Sequence, residues 1–399
     1  MTTARTIVVA GAGIGGLTAA LALAAKGFRV VILEKAERLE EAGAGLQLSP
    51  NASRILIGLG LQERLAARAV TPDAVSILSA RSGGEIARLP LGEQAGLRAG
   101  APWWVLHRAD LQAALQGAVD DHPEIELRLG CRFEDVAAHA GGVSVSQRSA
   151  TTHSEQEALA LIGADGVWSA VRHRLFPEIQ PQFSGLIAWR GAFAATQLPG
   201  EPTAGRVQLW MGPNAHLVLY PISGGRRINV VAIMPGTWNR PGWSAEGEPT
   251  EIGNAFTSRH WPAPARMMIG AVEGWRKWAL FTVSHPGDWS SGPITLLGDA
   301  AHAMLPFAAQ GAGMAIEDAA VLATSLAGSG DSAAAIAAGL KRYAGLRRAR
   351  VARVQRTARR NGKIYHLDGA AALARDLVMR SIGGGGVLAR QDWIYRWRP

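Results

Sequence analysis

The run GAGIGG at 11–16 falls between the apolar stretch Thr6–Ala10 and an alanine- and leucine-rich segment over 15–26. Strand, glycine turn and helix in that order open a nucleotide-binding βαβ unit, and 28–34 supplies the second strand. Gly11 permits the tight turn, Gly13 lets backbone approach a pyrophosphate, and Gly16 lets the helix close on the strand; Gly15 completes the set. The helix N-terminus offers free N–H groups and a positive dipole end to phosphate. Glu34 ends the second strand, where a carboxylate can bind both hydroxyls of an adenosine ribose and repel a 2′-phosphate. The site therefore suits FAD or NAD rather than NADP, and Lys35 beside it is counted with the same cofactor-binding set.

Two further stretches favour FAD. GADGVWSAVR at 163–172 puts Asp165 and Gly166 directly after a strand. LLGDAAHAMLPFAAQGAG at 296–313 puts Asp299 after another strand, placed to hydrogen-bond a ribitol chain that NAD lacks. Beyond it a loop from Pro306 runs into a helix at Gly311, Ala312 and Gly313. That helix N-terminus can face the flavin pyrimidine edge and stabilise the anion formed on reduction.

At 399 residues, with 48% apolar and 18% charged side chains, the chain can bury a substantial core. The net charge of +9 comes without zinc-finger spacing, ribonucleoprotein motif or recognition-helix pattern, so small anions explain it better than nucleic acid. No metal-ligand spacing is found. One cysteine, Cys131, excludes an internal disulfide and fits a cytoplasmic setting; it reads as a structural residue in a strand. The apolar run 7–25 holds four glycines and lacks a basic leader, so it reads as strand, turn and helix rather than a membrane span.

Helical patterning over 108–119 and short strands near 124–129, 143–147 and 158–163 continue the nucleotide unit. Segments 75–89 and 206–233 alternate with period two, as antiparallel strands do, with hairpin signals at Gly83-Gly84 and Gly224-Gly225. The fold class expected is α/β: a Rossmann-like FAD-binding domain with an inserted mixed β-sheet substrate domain and C-terminal helices. The FAD-binding domain takes 1–72, 100–180 and 280–330; the sheet domain takes 73–99 and 181–279; helices fill 331–399, with a break at 383–386. Ten basic residues over 341–363 read as a surface helix with an apolar stripe of Tyr343, Val351, Val354 and Ala358, some arginines serving a subunit contact.

With GAGLQLSPNA at 43–52, HRADL at 107–111 and QGAGMAIEDA at 310–319, and Tyr343, Arg347, Arg350 and Arg359-Arg360-Asn361-Gly362 following, the chain resembles the single-component flavoprotein aromatic hydroxylases. That group includes salicylate hydroxylase and the 3-hydroxybenzoate hydroxylases, with a p-hydroxybenzoate hydroxylase-like fold. The resemblance covers nearly the whole chain. It implies that Glu34 holds the ribose, Arg108 lies near the FAD pyrophosphate or ribityl chain, and Gly45 to Gln47 run beside the isoalloxazine. It implies too that Asp165 serves both FAD and NAD(P)H, that Asp299 binds the ribitol, and that Pro306 with Gly311, Ala312 and Gly313 forms the flavin-facing loop. The reaction implied is transient NADH or NADPH binding, flavin reduction, dioxygen addition at the flavin C4a, and transfer of the terminal hydroperoxide oxygen to a small aromatic ring.

His216 and Tyr220 in NAHLVLYP lie four apart on an apparent strand, hence on one face. A ring attacked by electrophilic oxygen reacts faster as a phenolate, so His216 is expected to be the activating base and Tyr220 an orienting hydroxyl. Both match a His/Tyr pair facing substrate in the 3-hydroxybenzoate 6-hydroxylase branch; the alternative is two satisfied sheet residues. Pro306 departs from that branch, which carries a polar side chain there, and leaves regioselectivity and decarboxylation open. Arg190 in AWRG, read as following a strand, can meet a substrate carboxylate or the flavin; otherwise it is a sheet-edge ion-pair residue. Trp189, Trp210, Trp275 and Trp278 read as core before pocket wall, and His302 as structural. The competing functions are a FAD-dependent epoxidase of a non-aromatic alkene and a non-catalytic flavin-binding protein. The expected assembly is a monomer or homodimer without membrane insertion.

Overall fold

The computed structural model describes residues 5–39, 45–199, 203, 205–257, 260–284, 287–330 and 332–399. Gly43 and Ala44, which open the GAGLQLSPNA motif, lie outside them.

Two sheets carry the architecture. The first has six strands in the order Ser290–Ser291, Ile294–Leu296, Ala160–Gly163, Thr6–Ala10, Arg29–Leu33, Ile125–Arg128. All neighbours in it run parallel except the short Ser290–Ser291 edge. Continuous apolar strands such as TIVVA and RVVIL suit a parallel sheet covered on both faces. Helix Ile14–Ala24, buried at ten positions, packs against helix Gly311–Ala327 on this sheet. The three-stranded sheet Arg132–His139, Gly142–Arg148, His153–Ala158 extends the unit.

The second sheet has eight strands: Ser244–Gly247, Trp275–Thr282, Gln182–Ala194, Arg227–Pro235, Ala215–Ile222, Val207–Gly212, Ala74–Ser79, Glu85–Pro90. The hairpins at Gly83-Gly84 and Gly224-Gly225 form as expected, and three of these four glycines take positive φ. Within segments 75–89 and 206–233 the strands pair antiparallel with their chain neighbours. Val207–Gly212 also pairs with Ala74–Ser79, in parallel, since these two strands are joined by a crossing through the nucleotide unit rather than by a hairpin.

The expected place of Arg190, after a strand, is corrected. It lies inside the long strand Gln182–Ala194, which is central, flanked by Trp275–Thr282 and Arg227–Pro235. Gly191, next to it in the same strand, allows close approach: a Cβ would come within 2.3 Å of Val272 and 2.7 Å of the Gly274 carbonyl. Cys131 lies between strands Ile125–Arg128 and Arg132–His139 rather than in one, buried, with its thiol donating to Gln147 Oε1 at 3.2 Å.

Helix Ala333–Tyr365 buries Tyr343, Val351, Val354 and Ala358 as its pattern implies. The basic face is not all solvated, however. Arg347 is 1% exposed and pairs with Glu317 and Asp318 of helix Gly311–Ala327; Arg350 pairs with Glu317. These two arginines serve an internal joint and not a subunit contact, because two buried carboxylates face them and need cations. Helix Gly369–Ala389 kinks at Gly383 and packs against strand Glu85–Pro90. Among the described residues no helix is long and apolar enough to cross a membrane.

Candidate active site

A cleft of about 1380 Å³ of atom-free space, open to solvent at its mouth, lies between the two sheets. Its nucleotide-side wall is built by the glycine turn. Gly11 takes φ +104°, and a Cβ on Gly16 would sit 1.9 Å from the Gly11 carbonyl oxygen, so helix and turn meet at a distance only glycine allows. Gly13 has nothing within 4 Å of its Cβ position and lines the cleft with Gly15. The helix start at Gly13 has no capping side chain, so its first N–H groups face a ligand site unsatisfied. The turn glycines Gly11 and Gly16 do not line the cleft; they shape it.

Glu34 stands beyond the end of strand Arg29–Leu33. Its Oε2 accepts the Ala12 amide at 2.8 Å and its Oε1 the Ala36 amide at 3.0 Å, which fixes the carboxylate against the turn while leaving lone pairs free. Lys35 next to it is exposed and away from the cleft.

Arg108, first residue of helix Arg108–Asp120, and Asp299, first of the short helix Asp299–His302, are exposed on the cleft wall. Pro306, Gly311 and Ala312 line it as well, and helix Gly311–Ala327 presents its uncapped N-terminus there with no acidic residue in its first turn. Gly313 lies behind, its Cβ position 3.0 Å from Gln310 Oε1. Gly45 and Gln47, on strand Gly45–Leu48, line a third side.

Asp165 does not line the cleft, although its neighbours Ala164 and Gly166 do. Its Oδ2 accepts the Ala170 and Val171 amides at 2.7 and 3.2 Å, holding the start of helix Ala170–Leu175. Its Oδ1 is buried and has no protein partner, and burial pushes the carboxyl pKa up. A buried acceptor on a residue between two that line the cleft, without a partner among the described residues, is a place for a ligand donor. With the open face of Gly13 and the two uncapped helix starts, the residues present fit a flavin dinucleotide.

The sheet-side wall follows from strand periodicity. His216, Val218 and Tyr220 alternate along Ala215–Ile222 and all face the cleft. Register places Val231 opposite Val218 and, across the next pair, opposite Arg190, while Ile233 stands opposite His216. His216 and Tyr220 are buried, and burial moves both pKa values away from charge, His216 well down and Tyr220 up. Arg190 is half-buried, lies 5.5 Å over the Trp278 ring, and has an Nε with no acceptor. It is a cation held at the cleft with hydrogen-bonding capacity to spare. Trp189, Trp210, Trp275 and Trp278 are in the core, and none lines the cleft.

Three features escape sequence reading. His216 Nδ1 lies 2.8 Å from Nε2 of His366, 150 positions away at the end of helix Ala333–Tyr365. Asn229 Oδ1 accepts the Gly45 amide at 2.7 Å and ties the sheet to the segment beside the cleft. Beneath the flavin-facing loop, Asn51 donates to Gln310 Oε1 and Glu317 Oε1, at 3.0 and 2.7 Å. His302 is structural as expected: buried, it meets Asp318 at 2.5 Å, and Arg347 reaches the other Asp318 oxygen at 2.6 Å. Two motifs carry a signal here: QGAGMAIEDA, which contains Gln310, Glu317 and Asp318, and GAGLQLSPNA, which contains Gly45 and Asn51; a lone histidine after a helix carries none.

A parallel nucleotide sheet bearing this glycine turn, opposed by a large mixed sheet across a cleft, is the arrangement of a flavin-binding protein with a second wall for a substrate. The family described as FAD binding domain matches residues 4–358, and the chain belongs to it. It is 38% identical over 391 residues to a 3-amino-4-hydroxybenzoate 2-monooxygenase of Streptomyces platensis, covering 98% of this chain and 95% of that one. It is 33% identical over 392 residues to the 3-hydroxybenzoate 6-hydroxylase of Klebsiella oxytoca, covering 98% and 96%. Among solved structures, a salicylate hydroxylase substrate complex shares the fold with a TM-score of 0.83 at 24% identity, covering 100% of this chain and 97% of that one.

Proposed function

We propose that this flavoprotein uses NAD(P)H and dioxygen to hydroxylate a small aromatic ring carrying a hydroxyl and a carboxylate, in the class of hydroxybenzoates and aminohydroxybenzoates. The observation that carries the reading is that His216, Tyr220 and Arg190 face the same cleft as Gly13, Arg108 and Asp299. A polar, partly cationic substrate wall weighs against an apolar alkene, and a wall that opposes the flavin site weighs against a purely structural cofactor.

Glu34 would hold the adenosine ribose, the amides after Gly13 the pyrophosphate, and Asp299 the ribitol. Arg108 would neutralise phosphate or orient the ribityl chain. Gly45 to Gln47 would flank the ring system, with Pro306, Gly311 and Ala312 opposite. The positive end of helix Gly311–Ala327 favours negative charge at that edge. Bound FAD, reduced by the nicotinamide, supplies the activated oxygen atom.

The protein's own work is positioning and proton control. Arg190 pairs with the substrate carboxylate. His216 accepts the phenol proton at Nε2, since Nδ1 is engaged with His366. Tyr220, kept neutral by burial, orients the ring as a donor. Val218, Val231 and Ile233 exclude water around the reacting carbon. Among the described residues one parallel nucleotide-binding sheet occurs, which supports transient nicotinamide binding in the groove.

The test is the visible spectrum of the purified holoenzyme with NADH or NADPH, against a panel of hydroxybenzoates and aminohydroxybenzoates. The reading expects one compound to accelerate flavin bleaching manyfold and to gain one oxygen atom. Equal nicotinamide oxidation with and without every aromatic, yielding only hydrogen peroxide, overturns it.

A further inference from the structure

We propose that His366 is a positioning residue that receives the proton passed on by His216 and delivers it to water, so that the two imidazoles form a relay out of the cleft. The proposal rests on the assignment of His216 as the base.

The geometry is specific. Nδ1 of His216 and Nε2 of His366 are 2.8 Å apart, with ring centroids 5.1 Å apart. His216 is 2% exposed, whereas His366 is half-buried. Among the described residues the His366 Nδ1 makes no hydrogen bond to protein. His366 is also held in place. Its amide donates to the Gly362 carbonyl at 3.2 Å, and its own carbonyl accepts the Asn214 amide at 3.3 Å from the turn that leads into the His216 strand. Arg375, buried, donates to the Ile364 and Tyr365 carbonyls just before it.

Two neutral imidazoles joined by one hydrogen bond have two arrangements. In the first, His216 Nδ1–H donates and its Nε2 lone pair faces the cleft. In the second, His366 Nε2–H donates and His216 Nε2–H faces the cleft. Three coupled proton transfers, with one proton gained from the phenol and one lost to water, convert the first into the second. The phenol O–H breaks and Nε2–H forms on His216; Nδ1–H breaks on His216 and Nε2–H forms on His366; Nδ1–H breaks on His366 and water takes that proton. The substrate leaves as phenolate, and His216 then faces it as a hydrogen-bond donor. No imidazolium persists in a site where burial disfavours it: His216 is pushed well down, and His366 to about 4. The other ionisable groups nearby, Tyr365 and Tyr220, are held neutral by burial.

The experiment uses FAD-loaded protein with 15N-labelled histidine, as wild type, His366→Ala and His366→Gln. Side-chain nitrogen spectra read the tautomer of His216; 3-hydroxybenzoate and 3-amino-4-hydroxybenzoate are the turnover probes. The expected result is a hydrogen-bonded His216 Nδ1 in wild type that shifts in both variants, with flavin content unchanged. Hydroxylation should fall on the order of 10²-fold, and added imidazole should restore it in His366→Ala and not in His366→Gln, where the side chain fills the space. An unmoved His216 tautomer overturns the proposal, as does hydroxylation at the wild-type rate in both variants. If His216→Ala also hydroxylates at the wild-type rate, the assignment of His216 itself fails; if His216→Ala is slow and the His366 variants are not, only the relay fails.

Discussion

Asn229 and Gly45, 184 positions apart, are joined by a 2.7 Å hydrogen bond that fixes the spacing between the substrate-side sheet and the strand beside the flavin site. A Cβ on Gly45 would lie 2.5 Å from the Tyr220 ring and 2.7 Å from the Asn229 side chain. Gly45→Ala should therefore push both residues back. We expect a stability loss of about 1–3 kcal/mol from overpacking, together with a raised KM for the aromatic, because Tyr220 moves. Thermal melts and initial rates check it; unchanged KM and melting temperature would show that the wall can yield.

Asp299 is exposed on the cleft and makes no hydrogen bond to protein among the described residues, so its carboxylate is free for a ligand. Asp299→Ala is expected to lower FAD occupancy first, read as the flavin-to-protein absorbance ratio after gel filtration. Full flavin retention removes its assigned role.

His216→Ala should do the reverse. Flavin content should stay near normal, while hydroxylation falls by about 10²–10⁴, the usual contribution of a positioned acid–base group. Loss of flavin in this variant would place His216 with the cofactor and not the substrate.

Arg347 is buried with Glu317 and Asp318, and removing it leaves Glu317 to Arg350 alone and Asp318 to His302 alone, in a site closed to water. Arg347→Ala is expected to cost about 3–5 kcal/mol, seen as a lower urea midpoint. Arg347→Lys should recover only part, since one ammonium cannot meet both acids as the planar guanidinium does. A midpoint equal to wild type would mean that the pair relaxes into water.

Stability should fall in acid earlier than carboxylates alone dictate. Burial depresses His366 from 6.5 to about 4, and burial with the neighbouring His366 holds His216 well below 6.5. Between those values the unfolded chain binds protons that the native state refuses, so stability is full above pH 6.5 and declines as pH drops toward 4. Asp318 adds a second loss at lower pH: burial alone would raise it, but His302 and Arg347 hold it below the ordinary carboxylate value. Melting temperatures across pH 4–7 should show the histidine limb in wild type and a shallower one in His366→Gln. Identical profiles would exclude the pair as its source.

Local physics made the nucleotide half legible. Gly11, Gly13 and Gly16 are demanded by turn, ligand and packing within a few residues, and their spacing is visible in the chain. The period of two in Ala215–Ile222 likewise put His216 and Tyr220 on one face before any tertiary contact was known. The central place of Arg190 in its sheet is not local information, because the residues opposite it, Val231 and Arg276, come from distant strands. His366 and Asn229 were invisible for the same reason: each matters only through a partner brought near by the whole fold. The basic run over 341–363 misled in part, because charge reads as surface unless the acids it meets, Glu317 and Asp318, are known to be buried.

The pairing of His216 with His366 bears on how such proteins can be recombined. A chimera that transplants 181–279 from one relative into another, to move substrate preference, would carry His216 but inherit whatever stands at the host's 366, and the host's hold on it through Arg375. The exchangeable unit is therefore discontinuous: the sheet, plus the end of helix Ala333–Tyr365 and the helix start that follows.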